Sequence, residues 1–209
     1  QWKNILIFMA LASMILGAVA AIGQTNIKRL IAYSSIGHIG YAMAGISTGT
    51  VTGYSSSITY ISIYVIMNLG VFGCIFLMKK DGKYCEDIKD LAGMSKQNPL
   101  LAISFLIIMF SLAGIPPLAG FFAKFYVFMS VIESGMYTLA IIGLLSTVIS
   151  AFYYLRIIKI IYFDEIINPL DKIKDVGIIS SIFLSGAILV LFFLYPSILN
   201  NIVNVLSLK

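Results

Sequence analysis

The stretch from Ser111 to Phe128, SLAGIPPLAGFFAKFYVF, constrains the chain more than any other. It lies inside an apolar segment that runs from about Pro99 to Ile132. Pro116-Pro117, flanked by Gly114 and Gly120, removes two backbone donors and crowds the preceding turn, so a helix passing through must kink or break. Lys124 follows a few residues later. It stands nine residues before Glu133, the first charge on the far side. At 1.5 Å per residue that is roughly 13 Å, close to half of a ~30 Å hydrocarbon core. A lysine at that depth costs about 2.5–3.5 kcal/mol on insertion scales, so it should face a protein interior or a wet cavity. A broken helix is tolerated there only where the freed backbone finds partners. Together the two features point to an ion or proton pathway. The plainer alternative is a lysine that snorkels to the surface from a proline-kinked helix.

Membrane depth is the right frame because the chain is 60% hydrophobic and only 11% charged over 209 residues. Soluble domains carry about 25% charged residues. Apolar runs near twenty residues long indicate an all-α integral membrane protein rather than a barrel. Six transmembrane helices are expected: about Ile5–Gly23, Leu30–Thr48, Ile58–Met78, the broken segment Pro99–Ile132, Met136–Phe163 and Val176–Tyr195, with Pro196 ending the last. An uncharged Gly/Ser/Thr loop, Gly49 to Ser57, and a charged loop, Lys79 to Asn98, separate the second, third and fourth spans. A polar loop, Asp164 to Asp175, precedes the sixth. The chain starts at Gln1, directly on an apolar span, with no signal peptide visible. It is therefore expected to be a piece of a longer polypeptide, truncated on its N-terminal side.

Loop charge sets the orientation. Alternating the spans places Lys28, Arg29, Lys79, Lys80, Lys83, Lys89, Lys96, Arg156, Lys159, Lys172 and Lys174 on one face, and only Lys3 and Lys209 on the other. That bias makes the first face cytoplasmic, or the matrix side in a mitochondrion, and puts both ends of this piece outside. The net charge of +5 is thus topological and implies no nucleic-acid partner. Cys74 reads as a packing residue and Cys85 as an incidental loop thiol. Two cysteines provide neither metal spacing nor a disulfide framework. No phosphate-binding loop, metal-ligand spacing or nucleophile–base pair is visible, so no cofactor and no metal is expected in this chain.

Lys124 has company at mid-depth. His38 lies nine residues past Arg29, roughly 13 Å from the cytoplasmic edge, and Asn68 lies eleven before Lys79, about 16 Å from it. Tyr60, Tyr64 and Asn68, at i, i+4 and i+8, are expected to form one polar stripe. Ser34, Ser35, Tyr60, Ser62, Tyr64, Ser111 and Tyr126 add hydroxyls at other depths. Such groups often serve only as interhelical glue or bond back to their own helix. Shared depth favours a relay instead. Histidine titrates near neutrality, and a desolvated lysine can do so too.

The segment QTNIKRLIAYSSIGHIGYAMAG, Gln24 to Gly45, resembles the signature of the antiporter-like membrane subunits of respiratory complex I, the NADH:quinone oxidoreductase. SLAGIPPLAGFFAKFYVF resembles the broken twelfth helix of those subunits. MNLGVF, Met67 to Phe72, and the lysine of GFFAKFYVF are most similar to the subunit N branch. The resemblance covers nearly all of the chain and is weakest in the last helix and tail. It implies a fold of fourteen transmembrane helices with two inverted five-helix repeats. Residues 1–163 would be the second repeat, and residues 164–209 a cytoplasmic loop and the final helix. It implies that Lys124 is the proton-translocating residue on the broken helix; the reading of depth and spacing adds His38 as a possible relay and Ser34, Tyr60, Tyr64 and Asn68 along a polar axis. Sibling subunits carry histidines or lysine where this chain has Tyr60, Tyr64 and Asn68, so hydroxyls and water would have to serve there. The glutamate–lysine pair of the first repeat would lie upstream. The implied activity is proton translocation coupled to quinone reduction elsewhere in the complex. NADH and quinone would be used by the complex, and the partners would be its other membrane subunits and the lipid bilayer. The implied location is the bacterial inner membrane, ahead of the mitochondrial one. Two other readings compete: a subunit of a multi-subunit Na⁺/H⁺ antiporter, and a structural bundle that anchors neighbours.

Overall fold

The computed structural model describes residues 2–166, 169–171 and 175–192. The chain folds as a helical bundle: α1 (Trp2–Ile22), α2 (Ile27–Ser47), α3 (Val51–Leu77), α4 (Met94–Gln97), α5 (Pro99–Ala113), α6 (Ala119–Glu133), α7 (Tyr137–Phe163) and α8 (Val176–Leu191). Among the described residues, α1, α3 and α7 are long and apolar enough to cross a membrane, and α5 and α8 are shorter apolar helices. The 27-residue helices α3 and α7 each measure about 40 Å, so they must tilt or project from a ~30 Å core.

Polarity is arranged inside out. Phe8, Leu16, Leu69, Leu145 and Val148 stand exposed on the outer surface, while Ser34, His38, Thr59, Ser111, Lys124, Ser130 and Ser146 are buried. That is the pattern expected when the outer solvent is hydrocarbon and polar groups must find partners within the protein. Glycine lets the first two helices approach. A Cβ on Gly17 would overlap the Gly37 backbone and the Tyr33 carbonyl, and one on Gly40 would press on Met14 and Ala10. Small residues at such a seam allow close packing where no hydrophobic effect drives helices together.

The described parts of the expected spans mostly coincide with helices, with informative differences. The fourth is two helices, interrupted from Gly114 to Leu118, and the bond between Pro116 and Pro117 is cis. The expected loop from Gly49 to Ser57 is mostly helix, because α3 starts at Val51. Thr50 caps it by accepting from the Gly53 N–H at 3.1 Å, and Ser56 and Ser57 return their hydroxyl protons to the Gly53 carbonyl at 2.9 and 2.8 Å. Hydroxyls satisfied within the helix let a Gly/Ser/Thr run stay helical in an apolar setting. The expected end of the sixth span at Tyr195 and Pro196 falls outside the described residues.

The charged loop from Lys79 to Asn98 is likewise structured, which departs from an all-α description. Strands β1 (Lys79–Lys80) and β2 (Lys83–Tyr84) form a small hairpin, followed by a 3₁₀ turn at Ile88–Leu91 and then α4. Its turn residues Asp81 and Gly82 both have positive φ, as a two-residue hairpin turn demands. Asp171 accepts both of their N–H groups, at 3.1 and 2.9 Å. The loop also binds the α1–α2 turn. Ile27 N–H donates to the Glu86 carbonyl and Ile88 N–H to the Thr25 carbonyl, both at 2.8 Å. Lys28 pairs with Glu86 at 2.7 Å, and the Asn26 side chain donates to the same carboxylate at 2.9 Å. Cys85, expected to be an incidental thiol, is buried beneath this cap, and burial pushes its pKa up. The basic loops therefore gather at one end of the bundle.

Two predictions follow from this end-to-end asymmetry. With Cys74 and Cys85 replaced by alanine, Tyr84→Cys and Val51→Cys, both at exposed positions, should react with an impermeant thiol reagent from opposite sides of the membrane. Labelling from one side would break the topology. Separately, the hydrogen bond from Lys28, then that from Asn26, holds the Glu86 carboxyl below its ordinary pKa of 4.5. A lowered folded-state pKa means the link is fully present above the ordinary value and is lost as pH falls through the lowered one. Hydrogen-exchange protection of the Ile27 and Ile88 amides should drop on acidification in the native chain, and should be pH-independent over that range in Glu86→Gln.

Candidate functional site

Breaking a helix frees carbonyls at one end and N–H groups at the other. At the end of α5, Gly114 adopts the left-handed conformation, φ 83°. Its N–H returns to the Phe110 and Ser111 carbonyls, and Ile115 N–H also reaches Phe110. The Leu112 and Ala113 carbonyls remain, and Lys124 takes both: Nζ donates to them at 2.9 and 3.1 Å. A cation at a helix C-terminus is also favoured by the helix dipole. At the start of α6, Gly120 N–H donates to Ser111 Oγ at 3.0 Å. Each half-helix is thus capped by a side chain of the other. Gly120 has to be glycine for this, because a Cβ there would collide with the Ser111 carbonyl. Lys124 is only 5% exposed, so its side chain lies inside the bundle rather than snorkelling to the surface.

A second polar group also packs against Tyr41. His38, on α2, offers Nδ1 to the Tyr60 hydroxyl of α3 at 2.6 Å and Nε2 to the Tyr154 hydroxyl of α7 at 3.0 Å. Tyr154 continues to Ser34 Oγ. A neutral imidazole donates with one nitrogen and accepts with the other, so one tyrosine hydroxyl donates to His38 and the other accepts from it. Exchange of tautomers reverses both bonds. Ser34, Tyr154, His38 and Tyr60 therefore form a continuous chain of exchangeable protons across three helices. Tyr64 stacks on the imidazole at 4.7 Å between centroids, 16° from parallel. Tyr41 touches both groups: its ring centroid is 5.3 Å from Lys124 Nζ and 5.9 Å from the His38 ring.

With this geometry in view, the relatives of the chain become informative. Residues 1–150 match the family described as the transmembrane region of NADH:quinone oxidoreductase and Mrp antiporters. The chain belongs to that family. It is 58% identical over 204 residues to the NADH-quinone oxidoreductase subunit N of Pelagibacter ubique, covering 98% of this chain and 43% of that protein. The subunit N of Rhodospirillum rubrum is 52% identical over 198 residues, 95% of this chain and 41% of its own length. The chain thus spans about two fifths of the length of these curated relatives. Among solved structures, a chain of respiratory complex I from Thermus thermophilus superposes with a TM-score of 0.82 at 28% identity, over 93% of this chain and 44% of that one.

Within this family fold, the residues singled out from sequence are distributed unevenly. Lys124 sits at the break made by Pro116 and Pro117, and His38, Tyr60, Tyr64 and Ser34 converge. Asn68 does not join them. It is half-buried beside Val65, Leu69 and Phe72 of α3 and Ile178 and Ser181 of α8, in a groove of about 380 Å³ on another side of α3. A four-residue step on a helix advances 40° past a full turn, so the expected stripe has rotated away by Asn68. Sequence reasoning missed Tyr154 and Tyr41, and passed over Ser111 as one hydroxyl among several. Tyr154 lies two residues before Arg156, which the loop-charge tally placed on the cytoplasmic face. Arg156 reaches back to the Ile22 carbonyl at the end of α1, at 3.3 Å.

The reciprocal caps predict an order of stability effects. Ser111→Ala strands the buried Gly120 N–H, a loss of about 1–3 kcal/mol. Gly120→Ala adds a steric overlap with backbone, which has no room to yield, and should destabilise more. Thermal unfolding in detergent should rank native above Ser111→Ala above Gly120→Ala; equal stability of all three would contradict the capping scheme.

Proposed function

We propose that this chain is part of a proton-translocating membrane subunit of an NADH:quinone oxidoreductase. The observation that carries the reading is Lys124: a buried ammonium at a helix break, held by two backbone carbonyls, next to a histidine–hydroxyl chain. A group that only stabilised the fold would not require a titratable neighbour of this kind. In this reading α1, α2, α3, α5–α6, α7 and α8 make six membrane passages, with α5 and α6 forming one broken passage. Residues 1–163 correspond to the second five-helix repeat, and residues 164–209 to a cytoplasmic loop and the final helix. The end bearing Lys28, Lys79 and Lys159 faces the cytoplasm of a bacterium, and the membrane is its inner membrane.

Protons move along the Ser34–Tyr154–His38–Tyr60 chain and through Lys124, while NADH and quinone react in other subunits that this chain contacts. The 58% identity to a subunit N supports this assignment over a Na⁺/H⁺ antiporter subunit. The Mrp complex of Dietzia sp. resembles the chain at a TM-score of 0.86 but at 17% identity, over 99% of this chain and 47% of that one, which is a likeness of fold. Co-purification with flavin and iron–sulfur subunits separates the two readings.

Arginine keeps the charge of Lys124 but cannot release its proton at a working pH. Lys124→Arg and Lys124→Ala should therefore both lower quinone-linked proton translocation, each by about tenfold or more, since a positioned proton-transfer group contributes roughly 10²–10⁴-fold. Native gels should show assembled complex in both. Near-normal pumping by the arginine variant would leave Lys124 as a structural cap.

A further inference from the structure

The two carbonyls account for two of the three N–H groups on the Lys124 ammonium. Among the described residues, the ammonium also meets the face of Tyr41, with Nζ 5.3 Å from the ring centroid, inside the range of a cation–π contact. Tyr41 is itself fixed from several sides and is only 2% exposed. Ser146 spends its own proton on the Gly143 carbonyl at 2.7 Å, so the Tyr41 hydroxyl donates to Ser146 Oγ, at 3.0 Å. Thr147 Oγ1 approaches the same hydroxyl at 3.2 Å. Phe128 and Tyr60 pack edge-on against the ring, at 5.8 and 6.0 Å between centroids. Tyr41 follows His38 by three residues on α2, so one helix face presents both to the centre of the bundle.

We propose that Tyr41 is the positioning residue of this site: its ring holds the Lys124 ammonium on the open carbonyls of α5. The proposal rests on Lys124 being a proton-relay group. The chemistry of a ring face suits that task. A carboxylate in its place would pair with the ammonium and could take its proton. An aromatic face attracts the charge yet has no lone pair to receive the proton, so it holds Lys124 without draining it. The same ring stands against His38, so the lysine is kept at a set distance from the histidine chain rather than bonded to it.

The test uses the assembled complex bearing Tyr41→Phe, which keeps the ring, or Tyr41→Leu, which keeps apolar bulk without it. Two quantities are read: quinone-linked proton translocation, and the rate at which formaldehyde with a borane reductant methylates Lys124, followed by mass spectrometry. The phenylalanine variant should stay within about twofold of native in both. The leucine variant should pump on the order of tenfold more slowly and expose Lys124 to methylation on the order of tenfold faster, the scale of a desolvated cation–π contact. If native gels show that the leucine variant does not assemble, Tyr41→Met replaces it. Native behaviour of the ring-less variant in both readouts overturns the proposal. So does a phenylalanine variant as impaired as the leucine one, or slow pumping with unchanged methylation. Faster methylation with unchanged pumping upholds the positioning and overturns the relay reading on which it was built.

Discussion

The structure depends on one requirement: no backbone polar group at the α5–α6 break can be left without a partner, because apolar surroundings supply no water to replace it. Each unusual residue of the segment answers part of that demand. Pro116 and Pro117 interrupt the ladder and bring no N–H of their own. Gly114 supplies the left-handed turn that closes two of the freed carbonyls. Ser111 and Lys124 reach across the gap in opposite directions, one to the Gly120 N–H and the other to the Leu112 and Ala113 carbonyls. The proline pair and the lysine therefore form one mechanical unit: the break creates acceptors that only a donor from the far side can reach, and the lysine supplies it.

The remaining helices are arranged so that this unit can be buried. Close approach at Gly17, Gly37 and Gly40 draws α1 against α2, which carries His38 and Tyr41 into the interior. From α3 and α7 come the tyrosines that satisfy His38. Polar groups that would be costly singly are inexpensive as a connected set, since each finds its partner within the set. The same connectivity that satisfies them makes their protons exchangeable. Structural need and chemical capability thus select the same residues.

How far this was legible in the sequence differs from residue to residue, for physical reasons. The break was legible because proline's missing donor is a local property, and the helices do stop at Ala113 and resume at Ala119. Depth, which needs only a rise per residue, set His38 level with Lys124 and Asn68; its bond to Tyr60 and its stacking on Tyr64, two residues read as lying at other depths, came only with the fold. Asn68 was grouped with Tyr60 and Tyr64 by four-residue spacing, and the 40° drift at each step carries it round to the α8 side of α3. Tyr154 was not singled out, since nothing in the sequence links it to His38, which lies 116 residues away. The run from Val51 to Ser57 looked like a loop because serine and glycine disfavour helices in water. In an apolar bundle the hydroxyls turn inward on their own backbone, and that preference loses its force.

Lysine is suited to this position in a way that neither arginine nor a neutral donor matches. The ammonium makes two hydrogen bonds to carbonyls and one contact with a ring. Loss of one proton leaves an amine that still has two N–H groups, enough for both carbonyls. What disappears is the charge, and with it the attraction of the helix C-terminus and of the Tyr41 face. The break can therefore keep its hydrogen bonds while the electrostatic hold on the side chain weakens. A guanidinium never reaches that second state, and a glutamine never reaches the first. A residue that must cap a helix end and also change charge without undoing the cap is narrowly specified by these two demands, and Lys124 meets both.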